Sequence, residues 1–243
     1  FAMLRTAACV CALILASLGL CTPYDLSADT APVGVRHALD QLRTISAAPV
    51  SAEVAERGDD LVPGGSEAFS LEPADAGYRL RANAPAGLMY GLLELRDRLK
   101  LGQPPAAKVL SAPALSLRGD VLDFPFYLGV DLYGGRWRWH QDIEAKADSW
   151  WLDRGHWAWR LKRCAELRIN SLLICHPHPF PALIDLPGGA SSAYFAPEHL
   201  KRLHDHFAWI LDEAAQYGVR VYFLTWNIWV SPGFAKAHGI AQE

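Results

Sequence analysis

The residues best suited to chemistry lie together in one short run, Asn170 to Pro181. Asn170-Ser171-Leu172-Leu173-Ile174-Cys175 is a short apolar segment that reads as a buried parallel strand. His176-Pro177-His178-Pro179 follows at once. A residue before proline is pushed to extended backbone, so His176 and His178 should leave the chain on the same side. Two imidazoles at the tip of an apolar strand offer different outcomes. They can hydrogen-bond the hydroxyls of a ligand, or share a metal ion, or pack against the adjoining prolines and Phe180. Zinc takes three or four ligands, and the rest of such a set is not found in the sequence. No metal and no cofactor is therefore expected. The location points to a site at the carboxyl end of a strand, where parallel sheets and (β/α)8 barrels carry their chemistry.

Two further strand ends carry candidate groups. Arg118-Gly119-Asp120-Val121-Leu122-Asp123 closes another apolar segment. Arg118 offers a fixed fork of donors that suits vicinal hydroxyls or a carboxylate. Asp120 and Asp123 can accept from hydroxyls, share acid/base work, or hold Arg118 in a salt bridge. Asp120 shares strand parity with Arg118 and Asp123 does not, so both carboxylates face inward only if the strand finishes irregularly. Val219 to Leu224 is a third apolar strand, followed by Thr225-Trp226-Asn227. Trp226 provides an apolar face and Asn227 a donor and an acceptor together. Six of the 9 tryptophans (Trp137, Trp139, Trp150, Trp151, Trp157 and Trp159) crowd into one stretch, as a thick core or a ligand surface.

The elements that must position these groups follow from pattern. Val35 to Ile45 reads as a helix with Val35, Leu39 and Leu42 on one face. Glu67–Glu72 and Tyr78–Ala82 alternate like strands joined through Pro73–Gly77. Pro85 to Leu101 is a helix, with Leu88, Leu92, Leu95 and Leu99 at helical spacing and Pro85 in its first turn. Ala47–Gly65 is weakly patterned, and Gly102–Pro113 reads as a linker. From Leu115 the order is strand, helix (Trp157–Arg168), strand, helix (Pro197–Tyr217, with Gly218 as its stop), strand. Helical crossovers between apolar strands imply a parallel sheet. A barrel needs eight strands and about three are visible, so the expected architecture is α/β: a small N-terminal α/β domain over 33–105, then the first part of a TIM (β/α)8 barrel over 114–243. The chain is expected to be a fragment of a longer protein.

The 243 residues are 51% hydrophobic and 20% charged, with net charge −3, enough for a core and without the basic excess of a nucleic-acid binder. Residues 1–21 read as a signal peptide. Met3-Leu4-Arg5 is its positive start, Ala7–Leu20 its apolar stretch, and Ser17-Leu18-Gly19 a cleavage site. An exported, periplasmic or extracellular product with no stable membrane span is expected. A retained anchor is the alternative, and Leu20 is a poor residue before a lipoprotein cut at Cys21. Outside the leader, Cys164 and Cys175 read as buried small hydrophobes.

The run Tyr78-Arg79-Leu80-Arg81-Ala82-Asn83-Ala84-Pro85-Ala86-Gly87-Leu88-Met89-Tyr90-Gly91-Leu92-Leu93-Glu94-Leu95 resembles the small α/β domain ahead of the catalytic barrel in family 20 and family 67 glycoside hydrolases. Arg118 to Asp123 resembles the first barrel strand of β-hexosaminidases. Tyr217 to Asn227 is similar to the third strand of α-glucuronidases, although Ser231-Pro232 comes late for that pattern. The resemblance implies an exported glycoside hydrolase acting on a poly- or oligosaccharide, with uronic-acid or amino-sugar content. It implies carbohydrate as partner and Arg118, Asp120, Asp123, His176, His178, Trp226 and Asn227 as substrate-binding groups. In both families the catalytic carboxylates follow later strands, so these residues alone are expected to be inactive. Two other classes remain open: a metal-dependent hydrolase using His176 and His178, and a non-catalytic carbohydrate-binding protein.

Overall fold

Two sheets, each backed by helices, organise the computed structural model, which describes residues 21–26, 28–55, 60–123, 152–176, 197–225 and 239. The described residues fall into two compact units. One comprises those up to Ser116 together with Ala165–Arg168 and Gln216–Gly218; the other holds the rest from Leu117 onward.

The first unit holds a five-stranded sheet of β1 (Cys21–Pro23), β2 (Val50–Ala55), β3 (Phe69–Ala74), β4 (Gly77–Ala82) and β5 (Val109–Ser111), in the order β1-β2-β4-β3-β5. Only β2 and β4 run parallel. Helix α1 (Val33–Arg43) buries Val35, Ala38, Leu39 and Leu42, the stripe read from the sequence. Helix α2 (Pro85–Lys100) has Pro at its start and lies on β3 and β4. Its glycines permit that contact. A Cβ on Gly87 would stand 2.6 Å from the Ala68 carbonyl oxygen, and one on Gly91 would stand 2.3 Å from Leu80 Cδ1. Asn83 anchors the preceding loop. Its Oδ1 accepts from Val62 N–H at 2.9 Å and its Nδ2 donates to the carbonyls of Val62 and Gly65 at 2.6 and 2.9 Å.

Four strands of this sheet depart from the sequence reading. The β3–β4 hairpin is tighter than expected, because the strands run on through Ala74 and resume at Gly77 (φ 139°). β2 falls in the stretch without pattern, since Ala52 is its only buried residue. β5 falls within the expected linker and is held by backbone pairing to β3.

The second unit carries β6 (Gly119–Asp123), β7 (Ser171–His176) and β8 (Arg220–Thr225), parallel and in chain order. Helices α3 (Arg154–Glu166) and α4 (Pro197–Gln216) supply the crossovers. This is the expected alternation of strand and helix. β6 starts later than predicted, at Gly119 rather than Leu115, and Leu115 and Leu117 are exposed. Leu122, Leu172 and Ile174 are buried on one face, and Phe223 packs edge-on against Phe207 of α4 with centroids 5.3 Å apart. α4 is followed by Gly218 at φ 66°, the left-handed stop that glycine supplies at low cost.

Candidate functional site: the carboxyl edge of the parallel sheet

The three parallel strands finish level. Asp123 pairs with Cys175, Cys175 with Leu224, and His176 with Thr225. The strand ends that the sequence marked as chemical, at Asp123, at His176 and just before Trp226, thus share one edge of one sheet. Tertiary pairing alone brings them together, since Asp123 and His176 are far apart in sequence. His178, Trp226 and Asn227 lie outside the described residues, as do Trp137, Trp139, Trp150 and Trp151.

The level ends are set from the opposite edge by a residue to which the sequence reading gave no role. Asn170 is 0% exposed. Its Oδ1 accepts from Arg118 N–H at 2.9 Å, and its own N–H donates to the Arg118 carbonyl at 3.0 Å. Its carbonyl accepts from Arg220 N–H at 2.9 Å. One asparagine therefore ties β7 to the starts of both β6 and β8. An unmade bond here would leave a buried polar group unsatisfied. The signal was present in the sequence: an asparagine between a helix stop and an apolar strand, with side-chain groups to satisfy.

Arg118 and Asp120 stand apart from the strand-end group. Arg118 precedes β6, at the amino end of the sheet. Asp123 comes five residue steps later, a span of roughly 16 Å at the usual strand rise. Asp120 has both oxygens engaged. Oδ2 accepts from Arg160 Nη2 of α3 at 2.6 Å, and Oδ1 accepts from Val121 N–H at 2.9 Å. The salt-bridge partner of Asp120 is therefore Arg160, where the sequence reading had considered Arg118.

Next to this ion pair sits Cys164, one helical turn after Arg160 and 3% exposed. Burial pushes its thiol up from an ordinary 9.0 to about 11; Arg160 pulls against that shift and Asp120 adds to it. A thiol so held is protonated at neutral pH and is a poor nucleophile. On the same helix the two described tryptophans separate. Trp157 is fully buried, whereas Trp159 is 56% exposed, with its ring 5.6 Å from that of His156. Trp209 of α4 carries the Arg154 guanidinium 4.8 Å above its ring. Among the described residues no group of three His, Cys, Asp or Glu side chains is placed to hold a metal ion.

Among solved structures, the chain is similar to a GH138 enzyme targeting pectin rhamnogalacturonan II, with 23% identity and a TM-score of 0.68 over 88% of this chain. The chain shares the fold of the matching part of that enzyme. Its second unit corresponds to three strands of the (β/α)8 type, preceded by a small α/β unit. The chain spans about a quarter of that enzyme's length, 26%. Looser overlaps occur with an N-acetyl-β-hexosaminidase of Streptomyces plicatus (13% identity, TM-score 0.45, 84% of this chain and 42% of that one). A GH20 exo-β-N-acetylglucosaminidase of Vibrio harveyi overlaps to a similar extent (10%, 0.45, 84% and 33%). No family model and no curated protein matches the chain.

Proposed function

We propose that these residues form part of an exported glycoside hydrolase and hold its carbohydrate substrate at the carboxyl edge of the parallel sheet. One observation carries the reading: a sheet whose three chemically marked strand ends lie level, in a fold similar to that of a GH138 enzyme. Asp123, His176, His178, Trp226 and Asn227 are the groups assigned to the sugar. A carboxylate accepts from ring hydroxyls, imidazole and amide each donate and accept, and an indole covers the apolar face of a pyranose. Arg118 and Asp120 stay among the candidate substrate-binding groups; Asp120 is also paired with Arg160. Glycosidic cleavage needs two carboxylates flanking the scissile bond. Asp123 is the one strand-end carboxylate among the described residues, so the acid/base pair is placed on other elements of the whole protein. The substrate class proposed is a uronate-bearing glycan, in keeping with the pectic target of the similar enzyme.

The test is reducing-end release by the complete gene product from pectic oligosaccharides, with chito-oligosaccharides in parallel. Turnover of the pectic substrate is expected, and His176→Ala or Asp123→Asn should lower it by about tenfold or more with the fold intact. Sugar binding without turnover would make the protein a binding module. Loss of activity on chelation, restored by zinc, would make it a metal-dependent hydrolase built on His176 and His178.

A further inference from the structure

The first unit contains a cavity of about 700 Å³ that the strand-end site does not use. Its origin is topological. Edge strand β1 pairs with β2 only from Glu53 onward, with one more bond from Tyr24 N–H to the Ala52 carbonyl at 2.9 Å. The chain then leaves the sheet at Asp25 and Leu26, and a hollow opens between that departure, the start of β2 and the end of α1. The floor is apolar: Leu39 and Leu42 of α1 are 7% and 2% exposed. The wall and rim are polar. Tyr24 is half-buried, and burial raises its hydroxyl above the ordinary 10.0, which keeps it a neutral donor. Asp25 and Arg43 line the cavity and are both exposed. Ser46 lines it too, and its Oγ already accepts from Ala48 N–H at 3.1 Å, which leaves its own hydroxyl hydrogen to donate.

We infer that this cavity is a second, non-catalytic saccharide site. The volume falls within the roughly 300–1,000 Å³ of small-ligand pockets. The chemistry is that of a ring with one apolar face and a girdle of hydroxyls. The leucine floor and the Tyr24 ring take the C–H face; the Asp25 carboxylate accepts; Arg43 and Ser46 donate, and Arg43 also suits a uronate. A purely apolar ligand would leave that polar rim unmatched. An extended peptide would need a longer free strand edge than Val50–Ser51, the part of β2 that β1 does not cover.

The experiment is a binding titration of the complete gene product with digalacturonic acid and, separately, diacetylchitobiose, followed by saturation-transfer NMR. Saturable binding of at least one is expected, weakened about tenfold by Arg43→Ala and by Asp25→Asn, which are exposed changes that keep the fold. Lys201→Ala, an exposed change on α4, should leave this binding unchanged. Absence of saturable binding by either sugar overturns the inference. So does binding that survives both rim substitutions but falls in Asp123→Asn, since that assigns the sugar to the strand edge. The outcome is independent of turnover, so failure of the hydrolase reading leaves it standing.

Discussion

The two sheets treat their outer faces differently. In the first unit the face away from the helices is polar by sequence. Glu53 sits opposite Arg81 with a contact of 2.8 Å, and Glu72 sits opposite Arg79 at 3.4 Å. The other face has an apolar centre, with Leu71, Leu80 and Ala82 at 0% exposure. That sheet is finished with one layer of helices. In the second unit both faces are apolar. Leu122, Leu172 and Ile174 are buried, yet on the opposite parity Val121, Tyr222 and Leu224 stand 59%, 40% and 45% exposed. Parallel sheets of helix-linked strands are built for cover on both sides. A charged outer face thus marks a sheet that is complete with one layer, and an apolar outer face marks one composed for a closed barrel.

This contrast can be broken by substitution, with chemical denaturation as the common readout. The largest effects should be shared by both closed faces: Leu80→Ala and Ile174→Ala, each at a fully buried site, are expected to cost about 2–5 kcal/mol. A cost under about 1 kcal/mol for Ile174→Ala would mean that the second unit has no true core. Next comes Asn170→Ala, expected to cost about 1–3 kcal/mol by removing the acceptor of the part-buried Arg118 N–H. Cys164 sharpens the picture through pH. Its folded thiol holds a proton to a higher pH than the unfolded one, so the folded state binds more protons between about 9.0 and about 11, and stability falls as pH rises through that window. Cys164→Ala should flatten that part of the stability profile. Breaking the Asp120–Arg160 pair is smaller: Asp120 is 45% exposed, and Asp120→Asn should cost about 0–1 kcal/mol. The smallest effect belongs to the open face, where Val121→Thr should change the stability of this chain by no more than about 0.5 kcal/mol. A large loss there would show that the face is already covered.

Legibility in the sequence followed side-chain burial. Both helices of the first unit and the alternation of the second were readable, because leucines at helical spacing and continuous apolar strands mark them. β2 and β5 were not, since backbone pairing holds them with few buried side chains. The strand-end candidates were picked out by residue type, but their meeting at one edge depends on register, which a local pattern does not carry. Asp120 shows the limit most clearly: its role turns on Arg160, 40 residues away on a helix.

Asn170 also bears on the chemistry of its own peptide link. An asparagine followed by serine is prone to cyclise when the next backbone nitrogen attacks its side-chain carbonyl, and the ring then opens to aspartate or isoaspartate. In the folded chain that nitrogen is occupied, because Ser171 N–H donates to the Arg118 carbonyl at 3.2 Å within an extended strand. The fold therefore shields this peptide link. Any interval of unfolding removes the shield, and a converted residue would return a negative charge to a position with 0% exposure. Deamidation at this one link would turn a reversible opening of the sheet into a permanent one.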